Sequence, residues 1–537
     1  MSLTVIGDGK ASQERCELKE RYCIVKKQIC ALLAAVLLVG TLAGCGTKNP
    51  AESGNGNGSS AKSDVVFALS SEPATLTAYN TDEFTSFTIQ YQLYNRLIEQ
   101  TASGEFVPSL AESWEYNDAG DEITFQLRKG VMFHNGQELK ATDVEYSYNA
   151  AIASSKTQNV TSMMDRMEAT GDYTCKLILK QPFGPIESCL VYGPLSIMNR
   201  ELCEANPDAF GRSPVGTGPY KFVRWDMGDK IVFEAFEDYW QGEASIKDLT
   251  FKITLDTSAA LVAIENGEVD FCDTIPNSQK ATVADNPDVA YASIGAPSTY
   301  YLQFNTSVEP FNDVNVRRAI ASAIDPEAIV IGACSGLGIV NRTQMSNSVV
   351  GFPADWDTQY DYDVDKAKEY LAKSAYPDGF TVEMACMDDA RYVSISEMVV
   401  EQCRQIGIDM TLEKFERSAY LEDVRARHNY SITVMASTPI YADADYLYSM
   451  CHSEYADGGR NAGEIRDPQL DALLEQGRAT ADPAERDVIY RNIVELMDQE
   501  MYVGGILQMD QSYFYNADLK GVIPSASRRC FVYDWNW

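Results

Sequence analysis

Residues 108–151 read PSLAESWEYNDAGDEITFQLRKGVMFHNGQELKATDVEYSYNAA and combine a strand pattern with a helix start. Residues 123–127 alternate apolar and polar side chains, which is the period-two pattern of a half-buried strand. Residues 128–130 (RKG) follow with turn-forming chemistry. Thr142 and Asp143 then open a segment that runs to residue 152, as expected at the amino terminus of a helix. The stretch therefore predicts a fold that mixes strands and helices.

The same alternation continues on both sides of this stretch. Residues 65–69 (VVFAL) read as a short apolar strand. Residues 89–98 (IQYQLYNRLI) place apolar side chains at helical spacing and predict a helix. No run of 18 apolar residues follows residue 45, so no transmembrane helix is predicted there. The chain beyond residue 64 is expected to be an α/β protein.

The composition excludes several classes of function. The chain has 537 residues, with 44 Lys and Arg against 78 Asp and Glu, which gives a net charge of −34. Such a chain lacks the basic surface that nucleic acids and anionic lipids require. It contains three histidines, His134, His428 and His452, which argues against a site built from several His ligands. No cofactor is expected.

Catalytic signatures are absent from the sequence. It contains no phosphate-binding Gly-rich loop ending in Gly-Lys-Ser/Thr, no His-Glu-x-x-His and no Gly-x-Ser-x-Gly. No Cys-x-x-Cys pair occurs either, and the nine cysteines after residue 45 are an odd number. Most of them are expected to be small buried side chains. The protein is not expected to be an enzyme.

The amino-terminal region reads as an export signal. Residues 29–44 (ICALLAAVLLVGTLAG) carry no charge and follow Lys26 and Lys27. This segment is shorter than the roughly 20 residues of a membrane-spanning helix and fits a signal peptide at 1–45. Its end, LAGC, resembles a bacterial lipobox, so Cys45 is the expected lipidation site; the alternative is a buried core helix. Residues 46–63 are rich in Gly, Ser and Asn and read as a flexible tether.

Residues 108–151 resemble the signature region of the family 5 extracellular solute-binding proteins, which are oligopeptide and dipeptide receptors of ABC importers. Further blocks that resemble the family follow in order along the chain. They are SPVGTGPYKFVRWDMGDKIVFEAFEDY at 213–239, YYLQFNTSVEPFNDVNVRRAIASAIDPEAIV at 300–330, the segment 362–380, IGI at 406–408 and DPQLD at 467–471. Most of these motif residues are interpreted as scaffold.

The resemblance implies an α/β fold of the two-lobe periplasmic-binding-protein type (type II, venus flytrap) with an extra subdomain inserted in lobe I. Lobe I is expected at 64–87, 209–296 and 507–537, and the inserted subdomain at 88–208. Lobe II is expected at 297–506. Two strands that cross between the lobes would act as the hinge, and the solute would be enclosed between the lobes.

The expected ligand-binding residues come from three places and act by stacking and hydrogen bonding, with no catalytic and no metal-binding residue. They are Glu83, Phe84 and Thr85 after the first strand, Tyr300, Tyr301 and Gln303 at the first hinge, Ser437, Thr438, Tyr441 and Asp443 from lobe II, and Gln508 at the second hinge.

The nature of the solute is left open by one substitution. In peptide-binding relatives, an Asp that pairs with the peptide's α-ammonium lies a few residues before a loop that resembles residues 443–447. The matching position here is about Ile440, which carries no charge. A buried ammonium without a carboxylate is costly. Either Asp443 takes over this role, or the solute is not an ordinary peptide with a free amino terminus.

The resemblance implies a receptor that captures peptides outside the cytoplasm and delivers them to the membrane permease subunits of an ABC importer. The receptor is expected to be a monomer, held at the cell membrane by its lipid and without a nucleic-acid partner. The alternatives are a receptor of the same family for an oligosaccharide, an opine or a nickel chelate, and a secreted enzyme or a structural lipoprotein.

Overall fold

The computed structural model describes residues 62–102, 104–275, 277–439, 441–526 and 529–537. The predicted signal peptide, Cys45 and the tether up to residue 61 lie outside the described residues, as does Ile440. The described strands are β1 Asp64–Leu69, β2 Ile98–Gln100, β3 Phe106–Pro108, β4 Ala111–Tyr116, β5 Glu122–Leu127, β6 Met164–Gly171, β7 Thr174–Leu179, β8 Tyr220–Asp226, β9 Lys230–Ala235, β10 Asp248–Ile253, β11 Phe271–Cys272, β12 Val289–Phe304, β13 Ile339–Val340, β14 Phe380–Met387, β15 Ile408–Phe415, β16 Ile432–Ser437 and β17 Val503–Asn516.

Helices alternate with these strands along the chain. The α-helices span Phe84–Leu93, Ala141–Ala153, Gln158–Thr161, Ile186–Leu190, Arg200–Ala205, Pro207–Phe210, Thr257–Glu265, Lys280–Val283, Val314–Ala323, Pro326–Cys334, Val364–Leu371, Ala390–Arg404, Arg417–Ala419, Tyr446–Cys451, Pro468–Ala479 and Pro483–Glu500. Tyr420–Ala426 is π-helical, and 3₁₀ turns occur at Ala78–Asn80, Gly193–Leu195, Asn277–Gln279, Ser453–Tyr455 and Val532–Asp534.

One mixed sheet runs through most of the described chain. Its strand order is β15-β14-β16-β12-β17-β11-β1-β10-β9-β8, with β13 paired to β17. The two longest strands, β12 and β17, have 16 and 14 residues and pair antiparallel along most of their length. They join a half made of β14, β15 and β16 to a half made of β1 and β8–β11, so the two halves share one pair of crossing strands.

A separate four-stranded antiparallel sheet has the order β4-β5-β7-β6. The helix Ala141–Ala153 packs on it, and Phe125, Val144, Tyr148 and Leu177 are fully buried in the shared core. Apolar side chains on one face of the strands and at helical spacing on the helix produce this layer. The small sheet lies within the segment predicted as the inserted subdomain, 88–208.

The local predictions around the signature stretch are confirmed. Residues 123–127 lie in β5, residues 65–69 lie in β1, and the helix predicted at 142–152 spans Ala141–Ala153. The carboxylate of Asp313 accepts a hydrogen bond from the backbone N–H of Asn315 at 2.8 Å and so caps the helix Val314–Ala323. Capping carboxylates of this kind satisfy the backbone donors that a helix leaves open.

The helix predicted at 89–98 is wrong in its limits. The helix spans Phe84–Leu93, and Ile98 belongs to β2. The backbone N–H of Gly218 donates to the carbonyl of Leu93 at 2.9 Å, and a Cβ on Gly216 would lie 2.0 Å from that carbonyl oxygen. This close backbone approach ends the helix, and apolar periodicity within residues 89–98 could not reveal it.

Candidate functional site

A cavity of about 640 Å³ lies at the carboxyl ends of the parallel strands β14, β15 and β16. Ligands bind at this end of the strands in open α/β sheets, because the loops that follow them converge there. We call it the arginine cavity, after four of its lining residues. The lining residues are Ser298, Tyr300, Met387, Asp389, Ala390, Arg391, Tyr392, Arg417, Arg425, Ala436, Ser437, Thr438, Met450 and Arg460.

A second cavity of about 340 Å³ adjoins the arginine cavity and shares Ser437, Thr438, Met450 and Arg460 with it. Its opposite wall comes from the region around the small sheet and includes Asn159, Phe183 and Cys189. The two cavities therefore form a continuous cleft between the half of the sheet that holds β14–β16 and the region of residues 159–189.

Four of the predicted ligand-binding residues line this cleft. Tyr300, Ser437 and Thr438 line the arginine cavity, and Tyr441 lines the adjoining one. The Tyr300 hydroxyl accepts a hydrogen bond from Nη1 of Arg391 at 3.2 Å. Thr438 Oγ1 lies 3.0 Å from Ser298 Oγ, across the paired strands β12 and β16. These hydroxyl and aromatic groups can hydrogen-bond and stack against a bound solute.

Asp443 and six other predicted residues line neither cavity. Tyr301 is fully buried in a hydrophobic core, and Gln303 is buried with its amide donating to the carbonyl of Phe304 at 3.2 Å. The remaining four, Glu83, Phe84, Thr85 and Gln508, lie at the start of the helix Phe84–Leu93 and on β17.

Gln508 is fully buried and holds a neighbouring loop. Its amide donates to Oδ1 of Asn347 at 2.8 Å, and its carbonyl oxygen accepts from the backbone N–H of Asn347 at 3.0 Å. Asn347 in turn lines a further cavity of about 610 Å³, whose wall also includes Gln100, Ile294 and Gly295. In this structure Gln508 therefore shapes a cavity wall through Asn347.

Asp443 is fully buried, and its carboxylate is already paired. Arg486 donates to it through Nη2 at 2.6 Å and through Nη1 at 3.0 Å. Ser188 Oγ and the backbone N–H of Asp445 donate to it at 3.0 Å and 2.9 Å. Burial opposes the charge of Arg486, but the Asp443 carboxylate outweighs it and raises the pKa of the guanidinium. Asp443 has no free oxygen in this structure with which to receive a ligand ammonium.

Asp445 makes a second buried ion pair beside the first. Nε and Nη2 of Arg478 donate to its two oxygens at 2.9 Å and 2.8 Å, and the Tyr441 hydroxyl donates at 3.0 Å. Burial, and then the nearby Asp445 carboxylate, raise the pKa of Tyr441 well above its usual range. Tyr441 therefore stays protonated and serves as a donor. The two bidentate pairs fix the loop that leads from β16 into the helix Tyr446–Cys451.

The four arginines of the arginine cavity were missed by the sequence analysis. Arg391 lies in the first turn of the helix after β14 and Arg417 follows β15, so the convergence of loops at parallel strand ends was the signal that could have found these two. Within the described part of the chain, Arg417, Arg425 and Arg460 make no ion pair and no side-chain hydrogen bond. Asp389, the acidic residue among the lining residues, caps the helix Ala390–Arg404 by accepting from the backbone N–H of Arg391 at 3.0 Å.

Other reactive groups in the described residues are held in the core. The nine cysteines there are buried, and burial raises the pKa of Cys451 to about 12. A thiol that stays protonated is a poor nucleophile and a poor metal ligand.

Groups of three or more His, Cys, Asp or Glu that could hold a metal ion do not occur in the described ranges. Those ranges also contain no helix that is both long and apolar enough to cross a bilayer.

Comparison with known proteins gives one consistent result. The family model for bacterial extracellular solute-binding proteins, family 5 Middle, matches residues 105–459. The dipeptide-binding protein of Escherichia coli (strain K12) is 26% identical over 462 residues, which cover 79% of this chain and 85% of that protein. The oligopeptide-binding protein AppA of Bacillus subtilis (strain 168) is 27% identical over 461 residues, with coverage of 80% and 84%.

The solved structure of HbpA2 from Haemophilus parasuis matches with a TM-score of 0.81 at 26% identity, covering 88% of this chain and 99% of that one. The two-lobe α/β fold expected from the sequence is confirmed. The chain belongs to the bacterial extracellular solute-binding proteins of family 5.

Proposed function

We propose that this protein is the extracytoplasmic receptor of an ABC importer, which captures peptides and delivers them to the membrane permease subunits. The cleft formed by the arginine cavity and its neighbour carries the proposal, because hydroxyl, aromatic and cationic side chains line it and its larger cavity has a volume of about 640 Å³. That volume lies within the range of sites for small molecules. Relatives named for binding dipeptides and oligopeptides support a peptide as the solute.

Lobe I is proposed at 64–87, 209–296 and 507–537, with the inserted subdomain at 88–208 and lobe II at 297–506. The paired strands β12 and β17 cross from one half of the sheet to the other and supply the hinge. A solute that contacts both lobes stabilises the closed state over the open one, because it gains contacts only when they meet. The permease then recognises the closed receptor.

The proposed role is binding without chemical conversion. The hydroxyls of Tyr300 and Thr438 in the cleft are paired with Arg391 and Ser298, and neither partner is a general base at neutral pH. A solute held there is oriented and enclosed, and it leaves unchanged. Hydrolysis of ATP belongs to other chains of the importer.

A lipid on Cys45 is proposed to hold the receptor at the membrane after removal of the signal peptide 1–45. The tether 46–63 would then give the body an r.m.s. reach of about 20–25 Å from the bilayer. Cells that express the Cys45→Ser variant are expected to release the protein from the membrane fraction and to lose its labelling by radioactive palmitate. Retention of both label and membrane association would contradict lipidation at Cys45.

Uptake of a radiolabelled tripeptide by the producing cells tests the receptor role. Deletion of the gene is expected to abolish uptake, and the Thr438→Trp variant, which fills the cleft, is expected to fail to restore it. The matched control is Thr170→Trp, on an exposed part of β6, which should restore uptake fully. Normal uptake after deletion, or with Thr438→Trp, would contradict the proposal.

A further inference from the structure

The lining of the arginine cavity is positively charged, whereas the protein as a whole is negatively charged. The whole chain carries 78 acidic against 44 basic residues, whereas the cavity is lined by four arginines and one aspartate. The aspartate, Asp389, is engaged in capping a helix, and Arg391 donates to Tyr300. Three exposed guanidinium groups, those of Arg417, Arg425 and Arg460, remain available to a bound solute.

These three arginines come from separate segments and meet around one space. Arg417 opens the short helix after β15, Arg425 lies in the π-helical turn Tyr420–Ala426, and Arg460 lies in the loop before the helix Pro468–Ala479. Burial raises the pKa values of Tyr392 and Tyr420, and the positive charge of Arg425 acts in the opposite direction on both. The guanidinium of Arg425 therefore lies near these two tyrosines.

Arginines elsewhere on the same half of the molecule do find carboxylates. Arg427 pairs with Glu422 and Asp423, Arg466 with Asp457 and Glu464, and Arg491 with Asp355. Acidic partners are therefore abundant in this region. The described residues provide none for the three arginines of the cavity, which leaves concentrated positive charge at the ligand-binding end of the sheet.

We propose that the solute carries at least two negatively charged groups, which Arg417, Arg425 and Arg460 bind, so that acidic peptides are the preferred cargo. This inference rests on the proposed function as a peptide receptor. The planar guanidinium presents a fork of donors that matches a carboxylate in two parallel hydrogen bonds. Closure of the lobes removes water from these pairs and strengthens them.

Titration calorimetry on the purified full chain with two peptides of equal length tests the inference. The peptides are Ala-Glu-Glu-Ala and Ala-Gln-Gln-Ala, which have the same termini and nearly the same shape. The acidic peptide is expected to bind at least about tenfold more tightly, because hydrogen bonds to charged groups are the stronger ones. The preference should shrink as salt is added, since ions screen exposed charges.

The triple variant Arg417→Gln, Arg425→Gln, Arg460→Gln is expected to lose the preference and to bind both peptides with the affinity of the neutral one. Replacing the same residues by Lys keeps the charge and should retain part of the preference. The matched control is Arg404→Gln, an exposed arginine at the far end of the helix Ala390–Arg404 that pairs with Glu401. It should leave both affinities unchanged.

Several outcomes would overturn the inference. Equal affinities for the two peptides in the unaltered protein would refute the acidic preference and leave the receptor role intact. An equal loss of affinity for both peptides in the triple variant would show that the arginines serve lobe closure and not solute recognition. If neither peptide binds but citrate binds and its binding requires the three arginines, the peptide assignment alone is refuted. If none of the three probes binds, both proposals are refuted.

Discussion

Two groups of arginines on the same half of the molecule have opposite surroundings. Arg478 and Arg486 are 19% and 5% exposed and pair with Asp445 and Asp443, whose side chains are fully buried. Arg417, Arg425 and Arg460 are exposed and have no carboxylate partner in the described residues. A buried arginine requires a partner because an isolated charge in the core is costly. We therefore expect the paired arginines to contribute to the stability of the fold and the unpaired arginines to contribute to binding of the solute.

The largest expected effect follows from breaking the pair between Asp443 and Arg486. Asp443→Ala leaves a buried guanidinium without its carboxylate and is expected to lower the free energy of unfolding by about 3–5 kcal/mol. Urea denaturation followed by circular dichroism measures this loss. The matched change is Glu401→Ala in the exposed pair with Arg404, which should cost no more than about 1 kcal/mol. Equal losses for the two variants would show that burial of the pair does not determine its contribution to stability.

His134 shows a third way to bury a polar group, in which the group stays neutral. Its Nδ1 accepts from the backbone N–H of Gly216 at 3.2 Å, and its Nε2 lies 2.9 Å from the carbonyl oxygen of Gly218. Burial lowers the pKa of His134 from 6.5 to about 4. The unfolded chain therefore binds the extra proton between these pH values, and the folded protein does not.

The contribution of His134 to stability is present above pH 6.5 and is lost as the pH falls through about 4. The loss should reach about 3 kcal/mol, at about 1.4 kcal/mol for each pKa unit. Denaturation of the protein and of His134→Gln at a series of pH values measures it. The difference between the two curves should narrow as the pH falls, and a constant difference would contradict a neutral buried imidazole.

The pair between Asp445 and Arg478 is partly open to solvent, so a smaller loss is expected. Arg478→Gln should lower the free energy of unfolding by about 2 kcal/mol, the scale of hydrogen bonds to a charged group. The same denaturation assay compares it with Asp443→Ala. If Arg478→Gln lowered the free energy of unfolding by more than Asp443→Ala does, the exposure of the two ion pairs would not determine their order in stability.

The smallest effect on stability is expected for the unpaired group. The triple replacement of Arg417, Arg425 and Arg460 by Gln should change the free energy of unfolding by no more than about 0.5 kcal/mol, because exposed groups without partners contribute little. Thermal unfolding of the unaltered and triple-variant proteins checks this. A large loss would mean that these arginines are held by interactions within the fold, which would contradict their assignment to binding.

Much of the fold could be predicted from local signals. The helix Pro468–Ala479 begins after Asp467, whose carboxylate accepts from the backbone N–H of Gln469 at 2.8 Å, and β15 begins directly after Gly407 with a φ of +86°. Both features depend on residues adjacent in sequence. The end of the helix at Leu93 depends on glycines more than 120 residues away, and no local pattern could give it.

The site was harder to predict than the fold because it depends on which charges find partners. Asp443 looked like a ligand for an ammonium group until its contact with Arg486, 43 residues along the chain, was known. The sequence analysis assigned no role to the arginines of the cavity. Only the packing of three separate segments brings Arg417, Arg425 and Arg460 to one cavity.

Native mass spectrometry of the protein, purified without denaturant from the cells that make it, would identify the solute that the receptor carries. A receptor that encloses its solute between two lobes is expected to retain it through gentle purification. We expect a ladder of bound masses that fit peptides, and sequencing of these peptides should show that they are rich in Asp and Glu. A single non-peptide mass, or masses spaced by hexose units, would contradict the peptide receptor.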